Sequence, residues 1–530
     1  MGRTDAIMKA ILQHISIIKL DSEVTMSFRV YPITQTSLRH DGYRIKINGV
    51  DVIPNTARVS AVPFNRRWPG HQRSLDQTEQ INFILLESDE SLTFDITPCD
   101  QFETAEIRPI TMGIKPHVTD DGRITFTAKA PAYFTVEPYQ RKNALHIFID
   151  PISDYRIDRQ ADNVIYFGKG EHDVGIINLK SNQTLFIDEG AVVYACVHAI
   201  DAENISIVGR GILDNSKNKE KILYEANEEN NFAQVNNAIR EHTVQLEYCT
   251  NVKIEGITIR DSLVYNIRPI GCKNLNISNV KIIGCWRYNS DGIDMHNCEN
   301  VKIDNCFIRT FDDSICVKGF DCFYDGDVEK AVRQAMYRNG KSYDVFRNVR
   351  VSNCVIWNDW GKCLEIGAET RAEEICDIVY ENCHIIHVSG RVLDCMNVDY
   401  AHVHDVTYKN ITVEYDTHIP PMVMQKTEAQ SYENNDPDYT PFLLSSYVTF
   451  HEEYSAKGQR RGRNSNFTYD NVRLYGRQMP RFDFSGYRED SKVSHITVQN
   501  IYVNDKPLGK DEFEIKANTF SDNVKIITKD

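Results

Sequence analysis

The sequence lacks a long apolar run, a CxxC pair and an excess of positive charge. No apolar run approaches the roughly 18 residues that a transmembrane helix needs, so we predict no membrane span. The 60 Lys and Arg residues stand against 75 Asp and Glu residues, with a net charge of -15, which argues against nucleic acid or an anionic membrane as partner. Without CxxC pairs zinc is not expected.

Cysteine is also sparse, at 14 residues in 530, too few for a disulfide framework in a chain of this length. Several cysteines follow an asparagine at one recurrent place, as at Cys306, Cys354 and Cys383, where a small buried apolar residue fits. We therefore expect reduced thiols.

The first 20 residues have no secretory cleavage site, so the chain as written is expected to be cytoplasmic. A leader that has already been removed is the alternative.

The first part of the chain, residues 1–155, predicts an N-terminal β-sandwich domain. Short runs that alternate polar and apolar residues are separated by Gly, Pro, Asn and Asp. Within it, the segment 63–77 is too polar for a strand and contains Trp68 beside Arg66 and Arg67. This loop is either simply solvated or uses Trp68 to stack on a sugar or to contact another subunit, so a homo-oligomer stays open.

Residues 156–530 carry a repeat in which Asn precedes alternating apolar positions. Asn251, Asn274 and Asn300 are spaced 23 and 26 residues apart. A period of this size with short strands predicts a solenoid, and the absence of an LxxLxL pattern favours a right-handed parallel β-helix over a leucine-rich repeat. Insertions interrupt the repeat near 320–345, which includes a helix-compatible stretch, and near 417–465.

The segment 289–318 contains three aspartates, one of which lies about one repeat before an adjacent pair. Asp291 precedes the adjacent pair Asp312 and Asp313 by 21 and 22 residues. Because neighbouring coils are roughly 4.8 Å apart, their carboxylates should converge, provided that the adjacent pair lies at a bend. Surface decoration and calcium binding are the alternatives to a catalytic role. Mutual repulsion would raise the pKa of at least one carboxyl group, which suits glycoside cleavage.

These runs resemble glycoside hydrolase family 28, the polygalacturonases. NSDGID, which begins at Asn289, FDDSICVKG and GKCLEIG correspond to the family's Asn-Thr-Asp-Gly, Asp-Asp and Gly-His-Gly patterns over roughly residues 160–510. The resemblance implies an inverting hydrolase of a poly- or oligosaccharide that uses no metal and no organic cofactor. It makes Asp312 the general acid, and Asp291 and Asp313 the residues that hold and activate water at a separation wide enough to admit it.

The departures from the family pattern concern substrate recognition. The family histidine is replaced by Lys362, and Arg-Ile-Lys is matched only by Arg391-Val392-Leu393. The predicted substrate-binding residues around the aspartates are Lys362, Arg391, His296, Lys318, Asn289, Trp360, Glu365 and Trp68.

Several alternatives to a polygalacturonase remain. A sandwich followed by a β-helix is also similar to glycoside hydrolase family 49, the dextranases and isopullulanases. A neutral glycan or a fructan is therefore the alternative substrate. A carbohydrate-binding β-helix or a polysaccharide lyase is a more distant alternative.

Overall fold

The computed structural model describes residues 28–32, 34, 38–66, 75–221, 242–320, 336–425, 427, 436, 438–452, 455, 460–476 and 479–529. Within these residues the protein is all-β, a right-handed parallel β-helix preceded by a β-sandwich, which confirms the predicted fold class. Trp68 and most of the helix-compatible stretch before Gly340 lie outside the described residues. No helix in the described part of the chain is long and apolar enough to cross a membrane.

The N-terminal sandwich consists of two sheets that enclose an apolar core. Its strands are β1 Phe28–Val30, β2 Tyr43–Ile47, β3 Val50–Val52, β4 Asn55–Ser60, β6 Thr78–Ser88, β7 Ser91–Pro98, β8 Glu106–Arg108, β9 His117–Val118, β10 Ile124–Lys129, β11 Ala132–Arg141 and β12 Leu145–Asp150. Strand β5 Asn65–Arg66 belongs to neither sheet and pairs with β38 Val423–Met424. One sheet has the order β1-β6-β12-β11-β8, with β4 also paired to β6, and the other has the order β3-β2-β7-β10-β9. Alternate residues of strands such as β2 are buried, as the sequence alternation predicts.

The solenoid follows. Short 3-10 helices lie at Leu75–Gln77 and Ile110–Met112 in the sandwich and at Ser216–Lys221 in the solenoid. Its strands up to the middle of the chain are β13 Val164–Phe167, β14 Gly170–Asn178, β15 Thr184–Ile187, β16 Ala191–Ile200, β17 Glu203–Gly209, β18 Ile212–Asp214, β19 Val244–Glu247, β20 Thr250–Glu255, β21 Thr258–Arg260, β22 Ile267–Ile270, β23 Lys273–Ser278, β24 Lys281–Ile283, β25 Ile293–His296, β26 Glu299–Asp304, β27 Phe307–Thr310 and β28 Ile315–Lys318.

The later strands are β29 Tyr337–Arg338, β30 Lys341–Ser342, β31 Val345–Ser352, β32 Val355–Asn358, β33 Leu364–Ala368, β34 Glu374–Glu381, β35 His384–His387, β36 Leu393–Asn397, β37 His402–Glu414, β38 Val423–Met424, β39 Leu444–Ser445, β40 Tyr447–Val448, β41 Arg463–Tyr475, β42 Arg481–Phe484, β43 Val493–Val503, β44 Lys506–Pro507, β45 Glu514–Ala517 and β46 Ser521–Ile526.

These strands stack in three parallel ladders around one apolar core. The first ladder contains β19, β22, β25, β28, β33 and β36. The second contains β17, β20, β23, β26, β31, β34, β37 and β41. The third contains β18, β21, β24, β27, β32 and β35. Most coils therefore contribute one strand to each ladder, whereas the long strands β16 and β37 each pair with two ladders.

Asparagine side chains stack from coil to coil at the start of the second ladder. Asn274 Nδ2 donates to Asn251 Oδ1 at 2.9 Å, and Asn300 Nδ2 donates to Asn274 Oδ1 at 3.0 Å. Each asparagine has a positive φ near 56–59°, which Asn tolerates better than most residues. The asparagine side chains of neighbouring coils thus bond one another and form a ladder along the solenoid.

The cysteines behave as small core residues. The thirteen cysteines in the described part of the chain are free thiols, and those that follow an asparagine in the repeat are fully buried. Their place in the apolar core explains the recurrence of cysteine without any disulfide.

The sandwich packs against the third ladder. Phe83 and Phe148 of the sandwich share an apolar cluster with Phe307 and Trp357 of the solenoid. A buried ion pair joins the same two regions, because Lys281 Nζ lies 2.9 Å from both carboxylate oxygens of Asp150. The first ladder lies on another side of the solenoid and carries the predicted aspartates.

Candidate active site

Asp291 and Asp313 occupy equivalent positions in consecutive coils. Ile293 pairs with Ile315, and the backbone N–H of Gly292 donates to the carbonyl oxygen of Asp313 at 2.9 Å. A Cβ at Gly292 would lie 2.2 Å from the carbonyl oxygen of Ser314, so the glycine permits the close approach of the two coils. The Asp-Gly pair in the sequence is thus part of the coil stacking.

Asp312 and Asp313 lie at the bend that precedes β28. Thr310 Oγ1 and Asn358 Nδ2 donate to the carbonyl oxygen of Asp312 at 2.6 and 2.8 Å. These buried hydrogen bonds fix the bend, and both carboxylates can then face the same side. Oxygens of Asp291, Asp312 and Asp313 all lie within 4.8 Å of one another. The structure therefore brings the three aspartates together.

Lys318 lies among four carboxylates and is itself buried. Its ammonium nitrogen is 3.0 Å from Asp294, 3.4 Å from Asp291, 3.5 Å from Asp313 and 3.9 Å from Glu369. Burial alone would lower the pKa of this amine, but the surrounding acids raise it well above the ordinary value. Lys318 thus remains charged and offsets part of the repulsion between the acids.

The carboxyl groups around Lys318 differ in protonation. Burial, followed by repulsion from Asp294 and Asp312, raises the pKa of Asp291 well above its usual range. Burial also acts to raise the pKa of Asp313, but Lys318 and Lys362 outweigh it and hold the pKa below the ordinary value. The site therefore combines a carboxyl group that retains a proton with a carboxylate that stays ionised near neutral pH.

Glu365 supplies a second proton-bearing acid beside Asp313. It is fully buried, and burial together with the charge of Asp313 raises its pKa well above normal. A hydrogen bond between the two side chains contributes to both shifts, upward for Glu365 and downward for Asp313. Glu365 thus supports the ionised state of Asp313.

Lys362 contacts Asp313 through its backbone, and its side chain points to other acids. Its N–H donates to Asp313 Oδ1 at 2.9 Å. Its ammonium donates a hydrogen bond to Glu365 and lies 3.3 Å from Asp394. The cation that replaces the family histidine is therefore already paired with Asp394 of this chain.

Arg391 is held in a similar way. Its guanidinium donates to Asp483 and to Ser445 at 2.9 Å each. It also lies 4.3 Å from the ring centroids of both Phe442 and Tyr447, a cation–π arrangement on two aromatic rings. The arginine is thus fixed by an acid and two aromatic side chains.

The other predicted binding residues differ in their positions. His296 is buried beside Lys318 in the first ladder, and burial lowers the pKa of its imidazole well below the usual value, so it is neutral. Its Nδ1 lies 3.2 Å from the carbonyl oxygen of Gly319, whereas Nε2 is buried with no hydrogen-bond partner among the described residues. Asn289 is a half-buried turn residue with a φ of 51°.

Trp360, which was predicted to bind substrate, is largely buried in the structure. Its ring packs 5.9 Å from Phe311 within the apolar core of the solenoid. Trp360 lies at a bend, where alternation along a strand does not decide which side chains point inward. Trp68 lies outside the described residues.

Sequence reasoning missed three acids of the cluster, Asp294, Glu369 and Asp394. Asp294 belongs to the NSDGID run and lies in register with Cys316, which is in turn in register with Glu365 and then Asp394. These residues lie at equivalent positions of consecutive coils, so the repeat spacing counted forward from Asp294 could have identified Asp394. The insertion between Lys318 and Leu364 obscured it, because it lengthens the spacing at this point.

The part of the chain that contains this site matches a protein-family model. Residues 169–450, just over half of the sequence, match Glycosyl hydrolases family 28. The chain belongs to this family. The match includes all three aspartates and the coils that carry Lys362 and Arg391.

The relatives of this family 28 chain cover it only in part. A polygalacturonase from Gossypium barbadense is 26% identical over 233 residues, which is 41% of this chain and 53% of that protein. A probable polygalacturonase from Vitis vinifera is 32% identical over 84 residues, 16% of this chain and 17% of that protein. The chain thus spans about half, or less, of the length of these curated relatives.

The fold is shared with Dex49A from Penicillium minioluteum. The two structures align with a TM-score of 0.51 over 92% of this chain and 98% of Dex49A, at 12% sequence identity. At this identity the likeness concerns the fold. It extends over both the sandwich and the solenoid.

Proposed function

We propose that the protein is a polygalacturonase-like glycoside hydrolase that cleaves O-glycosidic bonds of a poly- or oligosaccharide. The single observation that carries this proposal is the meeting of Asp291, Asp312 and Asp313 within 4.8 Å around the charged Lys318. Family membership supports it. Clustered buried carboxyl groups repel one another and lower the stability of the fold, which suggests that they have a chemical role. Proton transfer by a pair of carboxyl groups is the usual chemistry of glycoside hydrolysis.

In the proposed mechanism the ionised Asp313 removes a proton from water as the water attacks the anomeric carbon. Asp312 gives its proton to the leaving oxygen, so the two steps conserve protons and the glycosidic bond breaks as the new C–O bond forms. Asp291, whose raised pKa keeps it protonated, donates a hydrogen bond to the water. Two oxygens 4.8 Å apart can both contact one water at about 2.8 Å.

The proposed stereochemistry is inversion, by analogy with the family. One carboxylate oxygen of each acid lies within 4.8 Å of the others, which admits one bridging water but is less than the roughly 6.5–9.5 Å between the carboxyl groups of most inverting glycosidases. Proton NMR of the first product formed from an α-linked oligosaccharide tests the proposal. Inversion predicts the β anomer initially, and an initial α anomer would contradict it.

The reaction class is tested with purified protein and oligogalacturonides. We expect new reducing ends without the ultraviolet absorbance of unsaturated sugars. Unsaturated products would indicate a lyase, and binding without turnover would indicate a carbohydrate-binding protein. Either result would contradict hydrolysis.

A neutral glycan is a second candidate substrate, because Lys362 and Arg391 are already paired with acids. Asp394 pairs with Lys362 and Asp483 pairs with Arg391, which leaves less positive charge for a galacturonate carboxylate. The deciding experiment compares oligogalacturonides with the same oligosaccharides after reduction of their carboxyl groups, together with α-glucan and fructan oligosaccharides. A higher kcat/KM on a neutral series favours this candidate, and a loss of activity on carboxyl reduction favours the polygalacturonase-like activity.

A further inference from the structure

The outer face of the second ladder carries a thiol, an imidazole and a carboxylate on two adjacent coils. Strands β34 and β37 pair in parallel, with Cys376 opposite His404 and Glu374 opposite His402. Residues at alternate positions of a strand share a face, so Glu374 and Cys376 lie on the same side. This group lies on a different ladder from the three aspartates.

The potential ligand atoms of this group are close together. The Sγ of Cys376, a ring nitrogen of His404 and a carboxylate oxygen of Glu374 all lie within 4.8 Å of one another. Ligands of a tetrahedral zinc ion are roughly 3.3–3.8 Å apart, given the usual Zn–S and Zn–N bond lengths. Glu374 is exposed and the other two side chains are half-buried, so small rotations about side-chain bonds can close the difference.

His404 has the hydrogen-bonding pattern of a metal-ligating histidine. Its Nδ1 lies 2.8 Å from Oδ2 of Asp405, and its Nε2 is buried without a hydrogen-bond partner in the described part of the chain. A carboxylate that accepts Nδ1–H leaves the lone pair on Nε2, the arrangement found in carboxylate–histidine–zinc sites. Neighbouring His402 already contacts Ser465 Oγ at 2.8 Å.

The surrounding charge favours a cation. Glu374, Asp377 and Asp405 all act electrostatically on the Cys376 side chain. Arg347, which lies in register with Cys376 on the neighbouring strand and opposes them, is already paired with Glu299. The three acids would stabilise a divalent ion placed between them.

We propose that Glu374, Cys376 and His404 form a zinc-binding site on the outer face of the β-helix, with Asp405 orienting His404. A mixed sulfur, nitrogen and oxygen set suits zinc, which is of borderline softness. Three protein ligands leave a fourth position for water. The site is separate from the proposed hydrolytic centre and does not depend on that proposal.

The test is zinc binding by the full chain after chelator treatment. Isothermal titration with zinc chloride should show one tight site, and Co²⁺ in place of zinc should give a sulfur-to-metal charge-transfer band. Cys376→Ser should abolish the band, and His404→Gln should weaken zinc binding at least tenfold. Asp405→Asn should weaken it by about 10- to 100-fold, the usual effect of losing such a supporting carboxylate.

Two control variants separate this site from other zinc ligands. Cys99→Ser removes an exposed free thiol of the sandwich and should leave binding unchanged. Asp312→Asn alters the aspartate cluster and should leave zinc stoichiometry unchanged as well. Melting temperatures of the metal-free variants verify folding. Absence of tight zinc binding, equal binding by Cys376→Ser, or loss of binding in Asp312→Asn would overturn the proposal.

Discussion

Lys318 and Asp294 form a buried ion pair in which Nζ lies 3.0 Å from Oδ2. This pair joins the first ladder to the three aspartates, because the same ammonium lies 3.4 Å from Asp291 and 3.5 Å from Asp313. The positive charge of this one lysine therefore lowers the pKa values of the acids around it. Its removal should affect both the stability and the pKa values of the cluster.

Lys318→Met should lower the free energy of unfolding by about 3–5 kcal/mol at pH 7, because it leaves buried carboxylates without their cation. The loss should shrink near pH 4, where these acids can take up protons instead. Urea titration followed by circular dichroism at both pH values measures the change.

Lys302→Met is the matched control. That lysine is largely exposed and its nearest acid, Asp304, is 4.0 Å away, so its replacement should change stability by no more than about 0.5 kcal/mol. Equal effects of the two substitutions, or a Lys318→Met variant as stable as the parent, would show that Lys318 does not compensate the acids.

His387 should make the contact between sandwich and solenoid dependent on pH. Its Nε2 lies 3.0 Å from Glu137 of the sandwich and its Nδ1 lies 2.8 Å from Asp416, with Arg141 and Arg108 also facing this network. Burial lowers the pKa of His387, but Asp416 and Glu137 outweigh it and raise the pKa above its ordinary value. The stabilisation is therefore fully present below about pH 6.5 and lost as pH rises through the folded-state pKa.

His387→Gln should consequently destabilise the protein more at pH 6 than at pH 9, by about 3 kcal/mol at the lower pH. Urea unfolding at the two pH values measures this difference. Substitution of the exposed His117 by Gln serves as control and should have no such effect. A destabilisation by His387→Gln that does not change between pH 6 and pH 9 would contradict the charged state of this histidine.

Glu79 should make stability fall with rising pH as well, but over a lower pH range than His387. Burial is the main cause that raises its pKa to about 7, and it accepts a hydrogen bond from the N–H of Asn143 at 3.2 Å. Because the folded-state pKa exceeds the unfolded-state value, the folded protein loses stability as pH rises from about 4 to about 7.

Glu79→Gln keeps an acceptor for Asn143 without the charge. It should therefore stabilise the protein at pH 8 by at most about 3 kcal/mol and have little effect at pH 4. The exposed Glu90→Gln is the control. Melting curves across this pH range give the comparison, and a variant that is less stable than the parent at pH 8 would refute the raised pKa of Glu79.

Much of the fold could be predicted because the solenoid repeats its signals. The positions of Asn251 and Asn274 in the repeat mark coils that are in register in the structure, and the 22-residue spacing from Asp291 to Asp313 equals one coil. Local pattern and tertiary stacking agree here, since each coil packs only on its neighbours.

The residues that surround the three aspartates could not be predicted from the repeat in the same way. Glu369 follows Lys318 by 51 residues, across an insertion of no fixed length, and meets it only through stacking of β28 on β33. The pairing of Arg391 with Asp483 spans 92 residues. Such contacts depend on the coil register beyond each insertion, which the sequence spacing alone does not provide.

The hydrolytic role of the three aspartates is tested most directly by the activity of Asp312→Asn on the best substrate found. Loss of a general acid should reduce kcat by about 100- to 10,000-fold, with the circular dichroism spectrum and melting temperature unchanged. Asp51→Asn, at an exposed turn-side position of the sandwich, is the control and should retain full activity. A correctly folded Asp312→Asn variant with kcat within tenfold of the parent would contradict the assignment.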